Sequence, residues 1–343
     1  MKKVLAASVL CLAFLQGCKV DPKVIAPSAP LQEIVPEGWP KPVYTFSNNP
    51  LSEARFQVGR ALFYDPILSI DSSVACASCH QDFAAFANGG HQLSHGINEL
   101  NGNRNTPALF NLNWHPYFMH DGGINHIEVQ PLGPISNTIE MGETIGHVVL
   151  KLQRSARYRA LFGKDEINSQ NILKSMAQFM GVMYSFNSKY DQIKQGAIEV
   201  SFTEAETRGY RLFLTNCNSC HAEPLFSDFK FRSNGLAVNP ALRDSGRAHI
   251  TGQAGDRYKF KTPSLRNIAV TAPYMHDGRF ENLDSCLNYY TRPFANTQNL
   301  DPSLPTAGFT FSAQDKKDLV SFLKTLTDTS FINQVRFKDP KHY

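Results

Sequence analysis

Cys76-Ala77-Ser78-Cys79-His80 and Cys217-Asn218-Ser219-Cys220-His221 are two copies of one chemical device. Two thiols three positions apart can each add to one vinyl group of a porphyrin. A histidine directly after the second thiol then lies against the ring and offers a nitrogen to its iron. A zinc half-site also begins with such a pair, but both pairs here carry the directly following histidine, and the chain has no cysteine pair beyond these two to complete a zinc cluster. The motifs therefore predict two covalently bound c-type haems. Cys76, Cys79, Cys217 and Cys220 would attach them, and His80 and His221 would ligate their irons.

The other cysteines point to an exported chain. Lys2 and Lys3 precede an apolar run from Val4 to Phe14, which includes Cys11 and is too short to remain as a membrane span. Leu15-Gln16-Gly17-Cys18 resembles a bacterial lipobox, implying cleavage before Cys18 and lipid on its thiol; plain secretion is the alternative. Either reading places the chain in the periplasm, and the first anchors it to a bacterial membrane through Cys18. Only Cys286 is then left, so no intramolecular disulfide is expected, and it reads as a small buried apolar residue.

At 343 residues, 42% hydrophobic and 19% charged, the chain has room for about two domains with a sizeable core. A net charge of +4 is too small and dispersed to argue for nucleic acid. Lys19 to Pro42 is rich in proline and reads as an extended tether. A helix is expected from Ser52 to Phe63, with Ser52 as its cap, and a Gly/Asn/His-rich loop over 81–104. Apolar periodicity predicts helices over Thr144–Phe162 and Asn168–Tyr190. Met176, Met180 and Met183 share a face of the second, as core residues rather than iron ligands. Thr203 with Glu206, and Ser312 with Asp315, are capping boxes for a helix running into Cys217 and for a last helix, Ala313 to Leu326. No stretch alternates as a strand, so the fold is expected to be mainly α.

The halves match beyond the cysteines. Asn105-Thr106-Pro107-Ala108-Leu109-Phe110-Asn111 parallels Lys261-Thr262-Pro263-Ser264-Leu265-Arg266-Asn267, and Met119-His120-Asp121-Gly122 parallels Met275-His276-Asp277-Gly278. The step from the proline to the histidine is thirteen residues in both. Two matches at one conserved offset indicate duplication of a haem domain. The expected organisation is a signal peptide over 1–17, a tether over 18–45, haem domains over 46–195 and 196–335, and a tail over 336–343.

Leu62-Phe63-Tyr64-Asp65, the Thr-Pro-x-Leu-x-Asn repeats and the His-Asp-Gly repeats resemble the bacterial di-haem cytochrome c peroxidase family, which includes the MauG-type maturation enzymes. The resemblance implies two related cytochrome c-like haem domains arranged with pseudo-two-fold symmetry. His80 would be the proximal ligand of the peroxidatic haem, with Gln130, Pro134 and Glu140 at the distal-pocket positions. It also implies a structural calcium held by the Asn105 side chain and the carbonyls of Thr271 and Pro273. Two departures bear on the type of member. Peroxidase-type members place a tryptophan between the haems where this chain has His120. They place a methionine fourteen residues after the position of His276, where this chain has Tyr290, as MauG-type members do. Tyr289 and Met275 are the competing ligands to the second iron. His95, or more weakly His91, is the candidate sixth ligand of the first haem at rest.

The function implied is reduction of hydrogen peroxide at the His80 haem. Electrons would arrive through the His221 haem from a small periplasmic donor such as a cytochrome c or a cupredoxin. The alternative is MauG-like oxidation of a protein side chain by high-valent di-haem iron. A rival from another class is an electron carrier without catalysis, which has no use for Glu140 over a haem. A homodimer is compatible with each reading.

Overall fold

Ser52 accepts a hydrogen bond from Arg55 N in the computed structural model, which describes residues 30–342, and so starts the first helix where the sequence places it. The signal-peptide and lipid-anchor readings at residues 1–18 lie outside the described residues. The helices are α1 (Glu53–Tyr64), α2 (Cys76–Cys79), α3 (Leu132–Ser136), α4 (Ile145–Arg154), α5 (Ala156–Phe162) and α6 (Ser169–Gly181). They continue as α7 (Lys189–Lys194), α8 (Glu204–Asn216), α9 (Ala248–Thr251), α10 (Leu283–Tyr290), α11 (Ala313–Lys324) and α12 (Thr329–Ile332). Among the described residues the strands are two-residue pieces, β1 (Phe231–Arg232) and β2 (Phe260–Lys261), paired antiparallel. The fold is mainly α. No helix among the described residues is long and apolar enough to cross a membrane.

Two helix pairs carry the cores, and both cross at a glycine. α1 packs on α6 and α8 on α11. A Cβ on Gly59 would lie 2.0 Å from the Ser175 carbonyl oxygen, and one on Gly209 would lie 2.0 Å from that of Asp318. The aromatic packing after each crossing also repeats. Phe63 meets Phe179 with ring centroids 5.1 Å apart, and Phe213 meets Phe322 at 5.1 Å. All four rings are buried, each stabilising the fold by roughly 1.5–3 kcal/mol. Met176, Met180 and Met183 lie in the α6-side core.

Two expected helices are interrupted, each by a side chain the periodicity cannot register. The run from Thr144 to Phe162 breaks at Ser155, whose backbone is extended and whose hydroxyl caps α5 at Tyr158 N. The run to Tyr190 stops at Gly181 because Asn111 captures the chain beyond it. Asn111 Oδ1 accepts from Ser185 N at 2.9 Å, and its Nδ2 donates to Ser185 O at 2.8 Å. The described part of the proline-rich stretch, residues 30–42, is without helix, and its end is docked. Trp39 packs edge-on against Trp114 at 5.0 Å, whose indole donates to Pro40 O at 2.8 Å.

The repeated motifs fold alike. Asn111 and Asn267 both adopt the left-handed conformation (φ 54° and 57°), as do Met119 and Met275 (64° and 75°). Phe118 N donates to Ile124 O at 2.7 Å, and Tyr274 N to Phe280 O at 2.7 Å. The copies also hold each other. Asn105 N donates to His276 O at 2.8 Å, while Lys261 N donates to His120 O at 2.7 Å. Each Thr-Pro segment thus pairs with the His-Asp-Gly segment of the other copy.

The crossings make a direct prediction. Gly59→Ala and Gly209→Ala drive a methyl group into a backbone carbonyl, so each should lower stability by about 1–3 kcal/mol or more. Gly146→Ala, which meets nothing within 4 Å, should not. Denaturant unfolding of the three variants measures this.

Candidate functional site

Both cysteine motifs close into the same turn. His80 N donates to Cys76 O at 2.9 Å and His221 N to Cys217 O at 2.9 Å. The imidazoles are then oriented by backbone carbonyls. His80 Nδ1 donates to Phe86 O at 2.7 Å, and His221 Nδ1 to Pro263 O at 3.1 Å, with Phe226 O at 3.3 Å. Burial lowers both pKa values, that of His80 to about 4, against the raising effect of those carbonyls. Each ring is therefore neutral, protonated on Nδ1, and presents the Nε2 lone pair, the state that an iron ligand requires. The thiols stand on the same turn as that lone pair, so the residues fit a haem at each motif.

At the first motif, one short segment joins the thiols to Glu140. Cys79 Sγ lies 3.5 Å from His95 O, and two residues on, Ile97 N donates to Glu140 O at 2.9 Å. Between them a Cβ on Gly96 would lie 1.8 Å from Ile139 O, so only glycine allows the two strands of chain to touch. Glu140 is half-buried, and burial raises its pKa. The bond from Asn137 Nδ2 to Glu140 Oε1, 2.8 Å, and the charge of Arg104 work in the opposite direction. The negative charge of Glu140 is felt at both Cys76 and Cys79. Gln130 points its Nε2 at Met119 Sδ, 3.8 Å away, and Pro134 lies within α3. The His95 ring is exposed and shares a 3.3 Å hydrogen bond through Nε2 with His91 Nδ1. Its carbonyl rather than its ring reaches Cys79.

The second motif opens on a cavity of about 350 Å³ lined by Cys217, Cys220, His221, Met275 and Tyr290. Tyr290 ends α10, and burial pushes its phenol up to about 12. Asn234, which the sequence analysis does not single out, links the two candidate ligands: its Nδ2 lies 3.4 Å from Tyr290 Oη and 3.5 Å from Met275 Sδ. No spacing signal marks it, because it arrives from a loop distant in sequence. Tyr289 donates its hydroxyl to Asn234 O at 2.8 Å, so it is already engaged.

His120 lines the same cavity, and its Nε2 donates to Asn105 O at 2.8 Å. Burial, and then the charge of Arg104, lower its pKa to about 4. Asn105, Thr271 and Pro273 also meet at this cavity. Asn105 Nδ2 is spent on the carbonyls of His91 and Gln92, both at 3.1 Å, which leaves Oδ1 as the free end. An amide oxygen is a donor of the kind a hard cation takes. Arg104 braces the region, with Nε and Nη2 on Asp244 at 2.7 and 2.8 Å and Nη1 on Asp121 at 2.6 Å.

The model for the di-haem cytochrome c peroxidase family matches residues 53–199. The methylamine utilization protein MauG of Methylorubrum extorquens is 33% identical over 301 residues, 85% of this chain and 82% of that protein. Cytochrome c551 peroxidase of Nitrosomonas europaea is 30% identical over 337 residues, 95% of this chain and 92% of that protein. Among solved structures, a MauG-like protein associated with microbial copper homeostasis superposes with a TM-score of 0.80 at 33% identity, covering 91% of this chain and 99% of that one. The diheme peroxidase BthA of Burkholderia thailandensis, at 22% identity and a TM-score of 0.73, shares the fold. With its two cysteine motifs, repeated helix crossings and these relatives, the chain belongs to the di-haem cytochrome c peroxidase and MauG-like family and carries that family's two c-type haems.

Proposed function

We propose that the protein reduces hydrogen peroxide to water at a haem held by Cys76, Cys79 and His80. Electrons come from a small periplasmic redox protein, a cytochrome c or a cupredoxin, through a haem held by Cys217, Cys220 and His221. The observation that carries this reading is Glu140, whose backbone is tied to the Cys79 segment through residues 95–97 and whose carboxyl is raised in pKa by burial. The bound haem supplies the iron at which the oxygen–oxygen bond is cleaved. Glu140 takes the proton from one peroxide oxygen and returns it to the departing one. A carboxyl partly withdrawn from water suits both steps, since its pKa is brought toward the working pH. Asn137 orients it, and Gln130 and Pro134 shape the wall beside it. Each peroxide consumes two electrons and two further protons and leaves as two waters.

The chain is read as two cytochrome c-like domains, 46–195 and 196–335, related by a pseudo-two-fold axis. The reciprocal bonds of Asn105 and Lys261 support that relation. Calcium at Asn105, Thr271 and Pro273 would join the domains, and His120 would lie between the haems. A tether over 18–45 on a lipidated Cys18 would hold the enzyme at a membrane facing the periplasm.

A second reading, oxidation of a protein side chain, is favoured by Tyr290. It lines the cavity that His221 also lines, and a phenolate ligand is hard and anionic, stabilising ferric and higher states. An electron carrier without catalysis accounts for neither the half-buried carboxyl of Glu140 nor its bond from Asn137.

Glu140→Gln should abolish peroxide turnover while both haems stay bound; turnover within twofold of the parent rejects the acid–base role. Asn137→Ala removes a bond that lowers the Glu140 pKa, so the acid limb of the turnover–pH profile should move to higher pH. In electron paramagnetic resonance of the oxidised protein, a high-spin ferric signal is expected beside a low-spin one, because His95 is held by His91. Two low-spin signals would show His95 on the first iron instead. Tyr290→Phe should alter the low-spin signal, and an unchanged spectrum removes the tyrosine ligand.

A further inference from the structure

The reciprocal pairing of the two copies extends from backbone to side chains. Counted from Pro107 and Pro263, Lys261 stands where Asn105 does, His115 where Thr271 does, and Tyr117 where Pro273 does. Asn105, Thr271 and Pro273 are the residues read as the calcium set. Their three counterparts also meet. Lys261 Nζ donates to Tyr117 O at 2.9 Å and to His115 Nδ1 at 3.2 Å. The carbonyl that would ligate a cation at one crossing thus has its counterpart bonded to an ammonium at the other. Both crossings are closed by the same backbone bond, from Asn105 N to His276 O and from Lys261 N to His120 O.

We propose that Lys261 is a covalently attached cation filling the second of two equivalent cation positions, so that one crossing closes on a metal ion and the other on the chain's own ammonium group. This rests on the calcium reading of the Asn105 set.

The surroundings of Lys261 are those of a bound cation rather than of a salt bridge. Its partners are a carbonyl oxygen and a neutral imidazole. Burial, followed by the charge of Lys261, holds the His115 pKa well below its usual value, so Nδ1 keeps a lone pair for the ammonium. Burial draws the Lys261 pKa down to about 8, and no acidic group offsets that shift. At neutral pH the lysine still carries its proton. A cation kept away from water without a carboxylate is costly, and a lysine placed only to link two loops would not need that arrangement. The position has a consequence for the haem site. Lys261 and His120 line the same cavity, so at neutral pH the ammonium sets a positive charge in its wall.

The test is calcium stoichiometry of the haem-loaded full-length protein, dialysed against calcium and analysed by plasma mass spectrometry. Lys261→Asn recreates the Asn105 chemistry at the second crossing and should bind one more calcium per chain than the parent, with a thermal midpoint that rises when calcium is added. Lys261→Met, which has neither charge nor oxygen, should gain no calcium and show no such rise. Asn105→Ala identifies which reading fails. Loss of the parent's calcium in that variant upholds the Asn105 site. A parent without calcium, combined with one calcium in Lys261→Asn, rejects the Asn105 site and retains the Lys261 position. An unchanged calcium count in Lys261→Asn, with a midpoint indifferent to calcium, overturns the proposal. Folding of Lys261→Asn only in calcium supports it. Failure to fold even in calcium, where Lys261→Met folds, overturns it.

Discussion

Two backbone hydrogen bonds, from Asn105 N to His276 O and from Lys261 N to His120 O, make one molecule of two similar halves. Each half brings a complete helix crossing and a cysteine motif. The exchange of one N–H and one carbonyl in each direction places His120 and His276 at the junction. Arg104, next to one of the exchanging residues, anchors the same region to Asp121 and Asp244.

The electrostatics of the site follow from that junction. Arg104 lowers the pKa values of Glu140, His120 and His276 together, so one guanidinium biases groups belonging to both motifs. The histidines remain neutral through burial, while the Glu140 pKa is raised by burial, against which Asn137 and Arg104 work. A carboxyl raised in this way suits the proposed exchange of a proton with peroxide.

The repeated motifs share their backbone and differ in their side chains. Met119 and Met275 share a conformation found in few non-glycine residues, yet Met119 faces Gln130 while Met275 shares Asn234 with Tyr290. Asn105 and Lys261 share a backbone role and differ in charge. Divergence of function between two copies needs only such exchanges at the ends of conserved turns, because the turns set where each side chain emerges.

The sequence alone determined whatever is local in the chain. Two thiols and a histidine within five residues form a haem attachment wherever they fold, and caps such as Ser52 and Thr203 start helices within a single turn. The duplication was legible because matched spacing survives when side chains change. The tertiary structure decided what depends on residues far apart. The glycines at 59, 96 and 209 are unremarkable in sequence and required only because another backbone arrives there. Helical periodicity ran through Ser155 and past Gly181 because it does not register a serine that caps or an asparagine seventy residues away that captures the chain. Tyr290 and Tyr289 have the same intrinsic chemistry, and only the approach of Asn234 separates them: its carbonyl takes the Tyr289 hydroxyl, while its amide meets Tyr290 in the wall of the cavity that His221 also lines. Pairing of Lys261 with Tyr117 is of the same kind, since a contact across 144 positions leaves no trace in local spacing.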